Sequence, residues 1–321
     1  MPLKIASLFC GCGGMDLGIQ GGFDFLNHFY HELPVQVVYA VDHDPYALKI
    51  YNNNFEHHAE EKDVCDLVLD QIPDHDILMG GFPCQSFSIS AQNPPRLGFK
   101  DKKGMLFFEM VKILQYKKPR FFIAENVKGL LSANQKKAFP MIIKEFESAG
   151  YYVKFKLINA ANFGVPQKRE RVFIIGFKFF DDFMNFSFPV DVNSLENSSC
   201  IGQILDCDAN NDEKWFFSDQ AVSGMMRVKH KMNKGRVQDV NGPSNTISSH
   251  LAKVSLNSTD PVLLINSRYR RFTPREAARI QSFPDAFKFD AVSENRQYRA
   301  IGNAVPPVVM WYIGKALISM L

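Results

Sequence analysis

The stretch Ile5-Ala6-Ser7-Leu8-Phe9-Cys10-Gly11-Cys12-Gly13-Gly14 joins a short apolar run to a glycine-rich turn. A short apolar run bounded by turn residues is typical of a strand that is buried on both faces. Residues 15–21 then have the pattern of a short helix. The sequence therefore predicts the start of a parallel β-α unit, with the glycine turn at the carboxyl end of the first strand.

The same alternation of apolar runs and helical patterns continues through the first half of the chain. We expect further strands at residues 35–41, 77–79, 121–124, 151–158 and 172–177. We expect helices at residues 45–55, 106–114 and 139–146, where apolar residues recur at helical spacing. The pattern predicts an α/β fold with a doubly wound, mostly parallel, Rossmann-like sheet. In such sheets, ligands bind at the carboxyl ends of the strands.

The regular pattern stops after residue 178. Residues 179–265 are rich in Asn, Ser and Asp and carry turn signals, so we assign them to a smaller, mainly β or irregular domain. Residues 266–295 form a hinge segment with a helix that begins at Thr273-Pro274, a cap followed by proline at the first helical position. A final apolar helix is predicted from residue 308 to the C-terminus.

Composition excludes some classes of function and leaves others open. The net charge of the 321 residues is only +3, so a polyanionic partner must be held by local basic patches. None of the six cysteines forms a C-x-x-C pair, which argues against a structural metal site. Scattered thiols and an N-terminal apolar run too short for a signal peptide or membrane span lead us to expect a soluble cytoplasmic protein.

The glycine turn and two acids predict a nucleotide site. Glycine lets the backbone approach a ligand closely, although an ordinary tight turn uses the same residues. Asp42 ends the second predicted strand, where an acid can hold ribose hydroxyls, and Asp63 follows near another strand end. These residues alone do not distinguish NAD from S-adenosylmethionine. The dinucleotide motif requires a third glycine where Asp16 stands, which counts against NAD.

Two apolar runs end in residues that can react. Pro83-Cys84-Gln85 follows one predicted strand, and Glu125-Asn126-Val127 closes another. A thiol and a carboxyl group, each at the end of a predicted strand, form a pair suited to attacking an electron-poor ring while protonating it. Arg169 and Arg171 could supply cations that favour the thiolate. The competing interpretations are a buried structural thiol, a satisfied carboxylate and ordinary surface cations.

These motifs, in this order, resemble the DNA cytosine-5 methyltransferase family of the prokaryotic restriction-modification type. Two late segments, Arg271 to Pro284 and Arg299 to Pro307, also match it. The resemblance implies that residues 296–321 fold back onto 1–178 to form the catalytic, cofactor-binding domain, and that 179–265 recognise the target. It also implies S-adenosyl-L-methionine as the cofactor and S-adenosyl-L-homocysteine as its product. Two departures from the family pattern are Asp42, where Glu is more usual, and Lys62, where Gly commonly precedes the acid.

The resemblance also implies roles for individual residues. The catalytic residues would be Cys84, Glu125, Arg169 and Arg171. The cofactor-binding residues would be Phe9, Gly11, Gly13, Gly14, Asp42, Asp63, Pro83, Asn303 and Ala304. The substrate would be double-stranded DNA with its target cytosine flipped out, because a stacked base cannot reach a thiol. The DNA-binding residues, several of them cations for phosphate, would be Gln85, Ser86, Ser88, Arg96, Arg227, Lys229, Lys231, Arg236, Thr246 and Arg271.

Two rival functions and one rival chemistry stay open at this point. A tRNA-modifying branch of the family keeps the same two reactive motifs, but its Cys-Phe-Thr signature is absent here. A non-catalytic DNA-binding paralogue should have lost Cys84. A thiol oxidoreductase needs a resolving cysteine at short spacing, and Cys84 has none. We expect a monomer that needs no metal and no membrane, and that protects host DNA from a separate, cognate restriction endonuclease.

Overall fold

A seven-stranded sheet forms the centre of the computed structural model, which describes residues 1–83, 102–192, 199–226, 236–253 and 260–321. Its strands are β1 (Leu3–Leu8), β4 (Val35–Asp42), β5 (Glu60–Glu61), β6 (Ile77–Gly80), β7 (Phe121–Val127), β8 (Tyr152–Asn159) and β10 (Glu170–Phe177). Their order is β5-β4-β1-β6-β7-β10-β8, and only β10 runs antiparallel to its neighbours. This confirms the predicted doubly wound, mostly parallel sheet.

Side chains alternate along the strands to form two hydrophobic cores. Ile5, Ile77 and Phe121 face one core, whereas their neighbours Ala6, Leu78 and Phe122 face the other. Both faces are apolar because helices cover both sides of the sheet, as parallel strands require. The helices of this part are α1 (Gly14–Gln20), α2 (Pro45–Asn52), α3 (Lys102–Lys117), α4 (Ala138–Ser148) and α5 (Phe180–Asn185).

The C-terminal helices return to the sheet and cover the first helix. They are α8 (Glu294–Asn303) and α9 (Pro307–Ile318). A side chain at Gly14 or Gly18 would overlap the carbonyl oxygen of Val305 or Pro307, so α1 packs closely against the start of α9. Residues 294–318 are long and apolar enough to cross a membrane, but 72% of their most apolar window is buried inside the protein. The burial identifies α8 and α9 as core helices.

The region from residue 199 to residue 270 is mostly irregular, as the sequence indicates, with several short 3₁₀ turns. Its regular elements are α6 (Asp219–Met226), the strand β11 (Ser244–Asn245) and a hairpin of β12 (Leu263–Ile265) and β13 (Arg268–Arg270). β11 pairs with β9 (Gln167–Lys168) of the larger part. The predicted boundary between residues 265 and 266 falls at the end of β12, in the turn of this hairpin.

The helix predicted after Thr273 is present as α7 (Pro274–Ile280). Thr273 caps it in a capping box with Glu276. Glu276 also forms a fully buried, two-bond ion pair with Arg270, with both distances 2.8 Å. A third hydrophobic cluster joins α7 and α8 to residues 201–263. One hairpin escaped prediction, β2 (Phe23–Phe25) with β3 (His28–Tyr30), because its strands are only three residues long.

Candidate active site

A cavity of about 440 Å³ opens where β1 and β6 meet, at the carboxyl ends of the strands. β1 lies between β4 on one side and β6 on the other, so the chain reverses its winding direction at this point. A cavity at such a switch point is the usual ligand site of a doubly wound sheet. Its lining includes Phe9, Gly11, Gly14, Asp42, Tyr46, Phe82, Pro83, Glu125, Asn126, Arg296, Arg299, Asn303 and Ala304.

The glycine turn forms one wall of this cavity. Gly11 and Gly13 have positive φ angles, of 56° and 91°, which favour glycine. A side chain at Gly13 would also overlap the ring of Phe55, so this position has no room for one. Gly13 itself does not line the cavity, and its role is to let the chain turn into α1.

Asp42 holds the glycine turn against the second strand. Its carboxylate oxygens accept hydrogen bonds from the backbone N–H of Gly11 and of Asp44, both at 2.8 Å. Each oxygen of a carboxylate has a second lone pair, so Asp42 can still accept from a ligand in the cavity. Asp63, the other predicted acid, caps a 3₁₀ turn through the N–H of Cys65 and does not line the cavity.

Helix α8 contributes side chains that the sequence motifs did not single out. Arg296 and Arg299 lie on the cavity side of the helix, one turn apart and in line with Asn303. The Arg296 guanidinium lies 3.8 Å from the ring centroid of Tyr46, and Arg299 lies 3.6 Å from the Asp44 carboxylate. The helical spacing of these residues was visible in the sequence, but nothing there placed α8 opposite α2.

Glu125 brings a carboxyl group to the same cavity from the end of β7. Its side chain is only 12% exposed, and the Arg171 Nε lies 3.1 Å from one of its oxygens. Burial raises the pKa of Glu125 above its ordinary value, although Arg171 and then Arg169 act to lower it. A buried carboxyl with a raised pKa can hold a proton and donate it to a bound base. β10 brings Arg171 next to Glu125 because it pairs antiparallel with β7.

Asn126 links the two strand ends that carry the reactive motifs. Its amide donates to the Phe82 carbonyl oxygen at 3.0 Å and is itself buried. Pro83 lines the cavity, and the chain continues from it into Cys84. Cys84 lies outside the described residues. The same holds for the predicted DNA-binding residues Gln85, Ser86, Ser88, Arg96, Arg227, Lys229 and Lys231.

The other predicted residues have varied surroundings. Arg169 is 3% exposed and donates only to backbone carbonyl groups among the contacts described. Arg236 is also buried and donates to the Asp260 carbonyl, so it does not present its side chain to a phosphate in this structure. Thr246 is exposed and donates to the Lys168 carbonyl. Arg271 donates to the Lys214 carbonyl and lies near the Trp215 ring.

Among the described residues, no group of three His, Cys, Asp or Glu side chains could hold a metal ion. The site instead combines a glycine turn, a strand-end acid and a buried carboxyl paired with arginine. On a Rossmann-like sheet, these features are typical of a site that holds a small ligand beside a group able to donate a proton.

Comparison with known proteins identifies the family. A family model described as C-5 cytosine-specific DNA methylase matches residues 3–319. The chain is 33% identical to the type II methyltransferase M.FnuDI of Fusobacterium nucleatum, over 98% of this chain and 94% of that protein. It is 35% identical to the type II methyltransferase M.NlaX of Neisseria lactamica, over 94% of this chain and 92% of that protein. The chain belongs to the C-5 cytosine-specific DNA methylase family and is a DNA (cytosine-5) methyltransferase.

A solved structure supports the fold independently. The Entamoeba histolytica methyltransferase EhMeth superimposes with a TM-score of 0.75 at 19% identity, covering 99% of this chain and 98% of that one. At this level of identity the likeness concerns the fold alone.

Proposed function

We propose that this enzyme methylates carbon 5 of a specific cytosine in a short double-stranded DNA site, using S-adenosyl-L-methionine. Its relatives are type II methyltransferases, which supports a role in protecting host DNA from a separate, cognate restriction endonuclease. We further propose that it acts in the cytoplasm as a monomer. The observation that carries the chemistry is the position of Glu125, a buried carboxyl that lines the same cavity as the glycine turn and Pro83.

The residues of the cavity suit S-adenosyl-L-methionine. A volume of about 440 Å³ is within the range of small-molecule sites. Asp42 offers acceptors for ribose hydroxyls, Phe9 an apolar face, and Asn303 a polar side chain at the opposite wall. When bound, this cofactor supplies a methyl group on a positively charged sulfur.

The reaction that we propose starts from Cys84. Its thiolate adds to carbon 6 of cytosine while Glu125 protonates N3, so the negative charge that would develop on the ring is neutralised. Carbon 5 then has the electron density of an enamine and takes the methyl group. Loss of the proton from carbon 5 to a base expels the thiolate, N3 returns its proton to Glu125, and the aromatic ring is restored. Arg171 holds Glu125 in place, and its charge offsets part of the rise in the Glu125 pKa that burial causes.

DNA must open locally for this reaction. A base in a duplex is stacked, so we propose that the target cytosine is flipped out into the cavity mouth. Thr246 is an exposed residue near β9 that is available for such a contact. The remaining predicted DNA contacts, apart from Arg236 and Arg271, lie outside the described residues.

The decisive variant is Cys84→Ser. We expect the methylation rate to fall by about 10³-fold or more, because the nucleophile is removed, while binding of DNA and S-adenosyl-L-homocysteine persists. Cys65→Ser is the matched control, since Cys65 is exposed and does not line the cavity. Retained turnover in Cys84→Ser would contradict the mechanism.

A trapping experiment identifies the attacking atom. Duplex DNA that contains 5-fluorocytosine at the target should form a denaturation-resistant adduct, because fluorine cannot leave carbon 5 as a proton does. Peptide mapping should place the adduct on Cys84, and an adduct on another residue would refute the assignment. The target site itself is obtained by bisulfite sequencing of a plasmid from cells that express the active chain. Methylation of tRNA without methylation of duplex DNA would overturn the proposed substrate.

A further inference from the structure

Three polar side chains are buried together behind the cavity, where the proposed mechanism does not use them directly. Gln167 and Gln281 are fully buried, and Arg169 is 3% exposed. They lie where the β9–β10 segment, the end of α7 and the last turn of α8 meet. Buried polar groups must be hydrogen-bonded, so the bonds that they form restrict how these three segments can move.

The two glutamines form a continuous chain of hydrogen bonds. The Gln167 amide oxygen accepts from the Ile247 N–H at 3.0 Å, and its nitrogen donates to the Gln281 side-chain oxygen at 2.6 Å. Gln281 in turn donates to the carbonyl oxygens of Ile301 and Ala304, at 2.8 and 2.9 Å. The backbone at residue 247 is thereby connected to the end of α8 through two side chains.

Arg169 makes the same connection by a second route. Its guanidinium donates to the Ile247 carbonyl at 3.2 Å, and to the carbonyls of Gly302 and Ala304, both at 3.0 Å. Both backbone polar groups of Ile247 and the carbonyl of Ala304 therefore belong to one network. We name the set of Gln167, Arg169 and Gln281 the buried polar network.

The two ends of the buried polar network belong to different parts of the proposed site. Asn303 and Ala304 line the cofactor cavity. Residues 246–248 lie within the small region, residues 179–265, and include the exposed Thr246, which the sequence analysis assigned to DNA. The contact between these ends is also steric, because a side chain at Gly302 would overlap the backbone of Ser248. A displacement of residues 302–304 must therefore be transmitted to residues 246–248.

We propose that the buried polar network couples the cofactor cavity to the DNA-recognition region, with Gln281 as its central positioning residue. Filling the cavity holds residues 302–304 in one arrangement and, through Gln281 and Arg169, pre-orders Ile247 and its neighbours for DNA. Such coupling is reciprocal, so DNA must raise cofactor affinity by the same factor. This inference rests on the proposed function, because it assumes that both ligands bind at the sites given above.

The test measures the coupling factor in a variant that breaks the chain of hydrogen bonds. Gln281→Met has similar size but cannot donate to Ile301 and Ala304. Gln297→Met is the matched control. Gln297 lies on α8, but among the bonds described its side chain donates only to the Val292 carbonyl. Fluorescence anisotropy gives the Kd for target duplex with and without saturating S-adenosyl-L-homocysteine, and the ratio of the two values is the coupling factor.

We expect a coupling factor of about 5 to 150 in the wild type and in Gln297→Met, and a clearly lower value in Gln281→Met, where the Arg169 route remains. The Kd for each ligand alone should change less than the coupling factor, which a general loss of structure would not produce. An unchanged coupling factor in a folded Gln281→Met variant would overturn the inference, as would an equal loss in Gln297→Met. If the wild type binds neither ligand, the proposed function itself fails.

A measurement on the wild type keeps the inference testable if Gln281→Met does not fold. Hydrogen exchange should slow at the amide of Ile247 when S-adenosyl-L-homocysteine alone is added, although Ile247 does not line the cavity. Unchanged exchange over residues 244–249 at saturating ligand would contradict the coupling.

Discussion

Asp16 is a buried carboxyl whose replacement by asparagine should change how stability depends on pH. It lies in the first turn of α1 and is 0% exposed. Ser7 donates to one of its oxygens at 3.0 Å and Tyr51 to the other at 2.9 Å, and the Tyr51 oxygen lies 2.6 Å from His57 Nε2. Burial nevertheless dominates and raises the pKa of Asp16 from 3.8 to about 6.

The change in stability with pH follows from the difference between the pKa of Asp16 in the folded protein and in the unfolded chain. Below the unfolded pKa, Asp16 is protonated in both states. As the pH rises past the unfolded pKa, Asp16 loses its proton in the unfolded chain but keeps it in the folded protein. The free energy of unfolding therefore falls with pH until the pH reaches the folded pKa of Asp16. A difference of about 2.2 pH units corresponds to about 3 kcal/mol, of which about 2.4 kcal/mol falls between about pH 4 and pH 7. Asparagine does not titrate and should not lose this stability.

Urea unfolding of the wild type and of Asp16→Asn, followed by circular dichroism across that pH range, measures the effect. The free energy of unfolding of the variant minus that of the wild type should rise by about 2 to 3 kcal/mol from pH 4 to pH 7. Titrating groups outside the hydrogen-bonded set of Asp16, Tyr51 and His57 cancel in this difference. Asp24→Asn, on the exposed side of β2, is the control substitution. A difference for Asp16→Asn that does not change with pH would refute the reasoning.

Two further predictions concern charged pairs. Glu276→Ala leaves Arg270 buried without its counter-charge, so we expect a loss of about 3 to 5 kcal/mol in urea unfolding. Glu213→Ala breaks the exposed pair with Arg268 and should have a much smaller effect, because solvent screens that pair. Equal losses in the two variants would contradict the role of burial. Arg171→Gln removes the charge that most strongly lowers the Glu125 pKa, so the limb of the kcat/KM profile set by Glu125 protonation should move to higher pH. A limb that stays in place, or moves to lower pH, would argue against Glu125 as the proton donor.

Much of the fold could be predicted because the information is local. The apolar run before Gly11 and the Thr273 cap each determine an element within a few residues. The positions of Asp42, Pro83 and Glu125 could also be anticipated, because the carboxyl ends of parallel strands share one edge of the sheet. The short hairpin at residues 23–30 was missed, since three-residue strands have too few positions to show a period.

Other features could not be predicted because they depend on contacts between distant segments. The sequence did not show that the guanidinium of Arg169, whose charge acts on Glu125, is bonded to the carbonyls of Ile247, Gly302 and Ala304. Arg236 was expected at the DNA and is buried against Asp260. An arginine in a sequence has the same chemistry in each of these settings, and only the packing around it decides which partner it meets.

The sequence by itself determined the sheet, the glycine turn and the pair of reactive motifs, because hydrophobic period, glycine and proline act on the chain over a few residues. The tertiary structure alone decided that α8 faces the cavity with Arg296 and Arg299, and that Gln281 connects Ile247 to Ala304 through Gln167. Hydrogen bonds between residues far apart in the chain form only after the elements have packed. The geometry of that packing determines which polar groups lose water and therefore form hydrogen bonds with one another.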